Sequence, residues 1–166
     1  MKSIVMIGFA TAGKSTVGKL LAQKLGCSFV DCDRLLQETY GKTIEQMFRE
    51  GEDYFRQREN NLLATLPTQD SVIACGGGAV LNDSFAGLAS SCTVVWLDVS
   101  VATCQGRLGK AVRPLQDGKS TDELQQLMAK RNTLYAKYAN FVVDANGNPT
   151  QTLNEILAKL GLNKGE

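Results

Sequence analysis

The sequence predicts an α/β protein of three layers, a parallel β-sheet with helices on both faces. Two patterns carry that expectation. Short, uninterrupted apolar runs alternate with stretches of helical periodicity, and strands apolar along their whole length are strands buried on both faces. The first apolar run then ends in a glycine-rich turn that opens an amphipathic helix, the layout of a strand–turn–helix phosphate site. A length of 166 residues suits one domain, so residues 1–166 read as a single unit. A chain of this size buries about two-thirds of its unfolded surface and needs no staple.

The elements follow in order. Ile4-Val5-Met6-Ile7 is the first strand. Val17, Leu20, Leu21 and Leu25 repeat at helical spacing, and Gly26 ends that helix. Ser28-Phe29-Val30 is the second strand, followed by a helix carrying Leu35, Leu36 and Tyr40. One more helix follows Thr43 and another runs from about Asp53 to Leu66. Val72-Ile73-Ala74 is the third strand, Thr93 to Val99 the fourth and Phe141-Val142-Val143 the fifth. Between the last two lie a helix near Ala102–Leu108, an irregular stretch over about 109–120 and a helix from Asp122. Ser120 with Glu123, and Thr152 with Glu155, have the spacing of capping boxes.

Composition removes whole classes of chemistry. The apolar fraction is 43 % and the charged fraction 21 %, which argues against disorder, collagen and coiled coil. Eighteen basic residues balance 17 acidic ones, for a net charge of +1. That offers no sequence-independent grip on nucleic acid or an anionic membrane. Histidine is absent, which excludes Ser-His and Cys-His nucleophiles and most zinc sites. The five cysteines include no C-x-x-C pair, and an odd count fits reduced thiols in the cytoplasm. No apolar run approaches a membrane span of about 18 residues, and the start of the chain lacks a signal-peptide layout.

The strongest motif is GFATAGKST, Gly8 to Thr16, which fits G-x-x-x-x-G-K-[ST] between a strand and a helix. Glycines at both ends let successive backbone N–H groups turn towards one point, and the helix N-terminus adds free donors. Lys14 is placed to span β- and γ-phosphates, and the Ser15 hydroxyl to meet Mg²⁺. A GTPase switch would need N-K-x-D, yet the one Asn-Lys pair is Asn163-Lys164 near the C-terminus. A small-molecule kinase fits the size.

Further candidates follow. Asp31-Cys32-Asp33 stands where a parallel strand ends, the edge at which such sheets bind ligands. One carboxylate can serve the Mg²⁺ shell and the other an acceptor hydroxyl; equally, Asp33 can cap the next helix. Within GEDYFRQRE, Arg56 and Glu59 share a helix face, either at a site or as a solvated ion pair. Cys75-Gly76-Gly77-Gly78 ends the third strand with room for a ligand to approach the backbone. Arg113-Pro114-Leu115 lies in the irregular stretch, and Arg131 opens RNTLYAKYA on the following helix.

Taken together and in this order, GFATAGKST, DCD, GEDYFRQRE, CGGG, RPL and RNTLY resemble the shikimate kinase family, from Ser3 to about Leu160. The resemblance implies the nucleoside-monophosphate-kinase-like P-loop fold, with strand order 2-3-1-4-5. It implies ATP-dependent phosphorylation of the shikimate 3-hydroxyl, on the route to chorismate and aromatic amino acids; a monomer is the default expectation, since no exposed heptad or apolar patch can be read. It implies that residues Thr11, Ala12, Gly13, Lys14, Ser15 and Thr16 hold the nucleotide, with Arg107 near adenine. Ser15 and, through water, Asp31 would hold Mg²⁺. Asp33 would bind and deprotonate the acceptor, and Arg56 and Arg131 would take its carboxylate, with Glu59 behind them. Gly76, Gly77 and Gly78 would line the acceptor pocket. An acceptor-binding segment would cover about 33–61 and a lid about 109–120, with Arg113 closing on the transferring phosphate.

The sequence departs from the family pattern in four places. Thr11 stands where another glycine is usual, the lid is about one residue short, Gln116 replaces a leucine, and an arginine often found after the fifth strand is missing from residues 144–148. Two rivals stand beside this reading: a gluconate kinase on the same fold, and a nucleotide-binding regulator without turnover.

Overall fold

The structure, a computed structural model, describes residues 1–108 and 119–163. Its strands are β1 (Ile4–Ile7), β2 (Ser28–Asp31), β3 (Ser71–Ala74), β4 (Thr93–Asp98) and β5 (Phe141–Asp144). They form one parallel sheet in the order β2-β3-β1-β4-β5, as expected. The helices are α1 (Lys14–Leu25), α2 (Cys32–Tyr40), α3 (Ile44–Arg49), α4 (Glu52–Leu63), α5 (Ser84–Ser91), α6 (Val101–Leu108), α7 (Thr121–Tyr138) and α8 (Pro149–Lys159).

The two-residue period of a strand explains the layers. In β1, Ile4 and Met6 enter one core with Val17 and Leu21 of α1, Met128 of α7 and Ile156 of α8. Val5 and Ile7 enter the opposite core with Leu36 of α2, Met47 of α3, Phe55 of α4 and Phe85 of α5. All four β1 side chains are buried, and each large one contributes about 1.5–3 kcal/mol by leaving water. Helix α7 serves both cores, since Leu124 and Met128 join the first and Tyr135 the second.

Local chemistry sets the boundaries. Gly26 ends α1 in the left-handed region (φ 67°), its N–H returning to the Ala22 and Gln23 carbonyls. Thr43 and Gln46 cap α3 reciprocally. Between α3 and α4, Phe48 stacks on Phe55 with centroids 4.5 Å apart. The described helices include none long and apolar enough to cross a membrane.

Three details differ from expectation. Helix α5 has no counterpart in the sequence reading, because its eight residues, SFAGLASS, bury only Phe85 and Leu88 and include serines and a glycine that also suit a loop. Helix α8 begins at Pro149, capped by Asn148 and Gln151, rather than at Thr152. The Thr152 hydroxyl instead bonds back to the Asn148 carbonyl, and Glu155 accepts from the Asp144 N–H. At α7, Ser120 does accept from the Glu123 N–H at 3.1 Å, but its hydroxyl donates to the Glu123 carboxylate instead of completing the box.

Candidate active site

The carboxyl ends of β1, β2 and β3 bring the predicted residues together. After β1, Gly8 takes φ 146°, and a Cβ there would sit 2.5 Å from the Leu97 carbonyl oxygen. Only glycine lets the loop pass so close to β4. Gly13, at φ 84°, turns the chain into α1. Lys14 is buried in this loop, and its Nζ donates to the Gly8 and Phe9 carbonyls at 2.6 and 2.8 Å. The Ser15 hydroxyl donates to Asp31 Oδ2 at 2.8 Å, joining the loop to the end of β2.

Asp31, not Asp33, caps α2, accepting from the Arg34 N–H at 3.3 Å. That leaves Asp33 in the first turn, where it faces a cleft of about 470 Å³. The cleft is lined by the loop residues Thr11, Gly13, Lys14, Ser15 and Thr16, by Asp31, Asp33, Gly76 and Gly77, and by Arg107. Arg34 and Gln37 of α2 line it too, and sequence reasoning missed both. For Gln37 the available signal was its spacing, since a residue four further on lies above Asp33 on the same helix face; Arg34 carried no such signal.

A second, smaller cleft of about 210 Å³ adjoins it, lined by Thr11, Ala12, Gly13, Thr16, Arg107, Ala145 and Gly147 among others. Arg107 floors both. Its guanidinium donates to the carbonyls of Thr11 (2.8 Å), Ala145 (2.9 Å) and Gly147 (3.2 Å). One arginine thus ties the phosphate loop to the turn after β5. The Thr11 hydroxyl is buried with no hydrogen-bond partner among the described residues, at the wall shared by the two clefts.

Behind the glycine turn after β3 lies a buried polar cluster. Glu59 is 1 % exposed. Its Oε1 accepts from Arg56 Nη1 at 2.8 Å and from Asn82 Nδ2 at 2.7 Å, while Oε2 has no partner among the described residues. The Arg56–Glu59 pair is therefore no solvated ion pair, and Asn82 is a member that sequence reasoning did not single out. A Cβ on Gly76 would sit 2.9 Å from Asp33 Oδ1 and 3.0 Å from Glu59 Oε2, and one on Gly78 would strike the Arg56 guanidinium. The glycines leave room for these side chains. Arg131 is 5 % exposed on α7. One turn further on, Tyr135 donates its hydroxyl proton to the Gly77 carbonyl. Burial pushes the Tyr135 phenol up to about 12, against the opposing pull of Arg131 and Arg56.

Cys32 is inert. A hydrogen bond with Cys75, followed by burial, holds its thiol well above the ordinary range, which removes the thiolate that nucleophilic chemistry needs. Arg113 and most of the expected lid fall at 109–118, outside the described residues.

A parallel sheet with a glycine-rich phosphate loop at the end of its central strand, facing paired carboxylates across a cleft, defines a P-loop kinase. The comparisons carry this to a family. The shikimate kinase family model matches residues 10–161. A shikimate kinase of Persephonella marina is 39 % identical over 165 residues, covering 96 % of this chain and 99 % of that protein. The solved shikimate kinase from Acinetobacter baumannii in complex with shikimate superposes with a TM-score of 0.89 at 31 % identity, over 100 % of this chain and 96 % of the other. A gluconokinase from Sinorhizobium meliloti reaches a TM-score of 0.62 at 19 % identity, over 96 % of this chain and 91 % of the other, and shares the fold alone. The chain belongs to the shikimate kinase family and is a kinase that phosphorylates shikimate.

Proposed function

We propose that the chain moves the γ-phosphoryl group of ATP to the shikimate 3-hydroxyl, with the nucleotide on the phosphate loop and the acceptor between Asp33, the glycine turn and Arg131. One observation carries this reading: a single cleft is lined on one side by Lys14 and Ser15 and on the other by Asp33, Gly76 and Gly77. Donor and acceptor bound there would be held for direct transfer, and phosphoryl transfer asks chiefly for position and for positive charge on the moving group.

Residues 11–16 cradle the phosphates, and the Lys14 ammonium exchanges carbonyl partners for phosphate oxygens. Arg107 supports the adenine end, and Arg113 supplies the lid's charge. Asp33 accepts the hydroxyl proton. Arg56 and Arg131 take the acceptor carboxylate, because a guanidinium fork matches a carboxylate bidentately. Glu59 and Asn82 keep the Arg56 fork in place. Gly76, Gly77 and Gly78 let the acceptor approach the backbone.

The Ser15 hydroxyl and the Asp31 carboxylate, already hydrogen-bonded, are hard oxygen donors that suit Mg²⁺, Ser15 directly and Asp31 through water. Mg²⁺ bound there would neutralise phosphate charge. Residues 1–166 act as one domain, with 33–61 as the acceptor segment and 109–120 as the lid. An odd cysteine count supports a reducing cytoplasm, and the working unit is taken as a monomer.

The test is ADP release with shikimate, with gluconate and with no acceptor. Shikimate alone should raise the rate, and a shikimate rate no higher than the acceptor-free blank overturns the reading. Arg131→Ala should weaken shikimate binding by roughly 2–5 kcal/mol with little change for ATP. Lys14→Ala should lower kcat roughly 100- to 1000-fold.

A further inference from the structure

The buried face of α7 presents Arg131 and Tyr135 one helical turn apart, at 5 % and 0 % exposure. Tyr135 does more than fill space. Its ring packs against Trp96 with centroids 5.7 Å apart, and its hydroxyl donates to the Gly77 carbonyl. Arg131, one turn back on the same buried face, rides on the helix that this bond anchors. This one hydroxyl therefore links the helix that carries Arg131 to a strand-end peptide.

Gly77 is the peptide on which the two halves of the cleft meet. A Cβ there would lie 3.3 Å from the Ala10 N–H nitrogen and 3.6 Å from the Gly8 carbonyl oxygen, both in the phosphate loop. Its neighbours Gly76 and Gly78 make room for Asp33 and Arg56 respectively. A small movement of the Gly77 peptide relative to Arg131 therefore changes the span between the place where a carboxylate is held and the place where a hydroxyl reacts.

We propose that Tyr135 is a positioning residue for the acceptor: its hydroxyl ties α7, and with it Arg131, to the Gly77 peptide at a set separation, and so governs acceptor affinity without touching the acceptor. The proposal rests on the assignment of Arg131 to the acceptor carboxylate. A ring that served packing alone would need no hydroxyl, and a phenol buried here would be costly without partners.

Tyr135→Phe keeps the ring and removes one oxygen. The expected result is a shikimate KM raised threefold or more, with the KM for ATP and the kcat at saturating shikimate within twofold of the parent. Calorimetric titration of shikimate alone should show the same loss in Kd. A shikimate KM raised less than threefold overturns the role, as does a parallel rise in the KM for ATP, or an earlier thermal melt with both KM values unmoved. Should Tyr135→Phe melt too early for assay, both KM values are read at a lower temperature at which the variant stays folded. The same selective rise is then expected, and an unmoved shikimate KM overturns the proposal. Arg131→Ala separates the two levels. If it leaves the shikimate KM unchanged, the acceptor assignment itself falls; if it raises that KM while Tyr135→Phe does not, the positioning role alone falls.

Discussion

The Ser15 hydroxyl donates to the Asp31 carboxylate across 2.8 Å, joining the first turn of α1 to the last residue of β2. Sixteen residues separate them in sequence, and the β2–β3–β1 strand order brings them together. The same carboxylate caps α2 through the Arg34 N–H. Asp31 thus orients both a hydroxyl suited to a magnesium ion and the helix that carries Asp33.

Removing that charge should act on the metal first. Asp31→Asn keeps the size of the side chain and a carbonyl for the cap, but loses the anion. The Mg²⁺ concentration for half-maximal rate should rise roughly 10- to 100-fold, read from initial rates across a Mg²⁺ titration at fixed ATP. An unshifted midpoint would remove Asp31 from the metal's surroundings.

Gly78→Ala isolates the acceptor side. The backbone of Gly78 is at φ −103°, ψ 10°, which an L-residue can adopt. The added methyl meets the Arg56 guanidinium instead. The variant should fold, and its shikimate KM should rise about tenfold, equivalent to about 1.4 kcal/mol, with the KM for ATP little changed. Steady-state kinetics with each substrate varied in turn checks this.

Glu59→Ala addresses stability. It strips Arg56 and Asn82 of a shared buried acceptor and leaves a largely buried guanidinium without that counter-charge. Breaking such a pair from one side costs about 3–5 kcal/mol, to be read from the urea midpoint at constant m-value. A loss below about 1 kcal/mol, the worth of a surface ion pair, would mean that water replaces the carboxylate.

Asp98 and Asp144 face each other in register at the carboxyl ends of β4 and β5. Burial, and then the Asp144 charge, raises the Asp98 carboxyl above its ordinary value, while the Asn146 backbone and side chain hold Asp144 low. The folded chain therefore keeps the Asp98 proton to higher pH than the unfolded chain does. Stability falls as pH climbs from the ordinary Asp value of about 4 through the raised one. Asp98→Asn abolishes that slope, so its Tm should exceed the parent's at pH 7 and converge with it near pH 3. A Tm difference that is the same at both pH values would refute the assignment.

The legible parts of this protein were those written in contiguous residues. Ile4 to Thr16 spells a strand, a turn and a helix start in one stretch, because the phosphate loop is built from its own backbone. The five strands were likewise readable as apolar runs. Helix α5 was not, since a single i, i+3 pair of buried side chains among serines and a glycine is too short a pattern to tell from a loop. The start of α8 was misread because Thr152–Glu155 mimics a cap that Asn148–Gln151 already provides. Arg34 and Gln37 went unnoticed because lining a cleft depends on which face of α2 the sheet leaves uncovered.

What the amino-acid sequence determined alone was the fold class and the chemistry on offer: a phosphate loop, no histidine, paired carboxylates at a strand end, and arginines on the segments that follow. Local periodicity and short motifs suffice for that, since each is a property of neighbours along the chain. Only the tertiary structure decided which carboxylate caps and which faces the cleft, that Arg56 and Glu59 pair in the interior, that Arg107 ties the phosphate loop to the turn after β5, and that Tyr135 reaches Gly77. Those relationships span from 3 to 96 residues of sequence. They depend on packing and desolvation, which exist only once the sheet has brought distant segments out of water together.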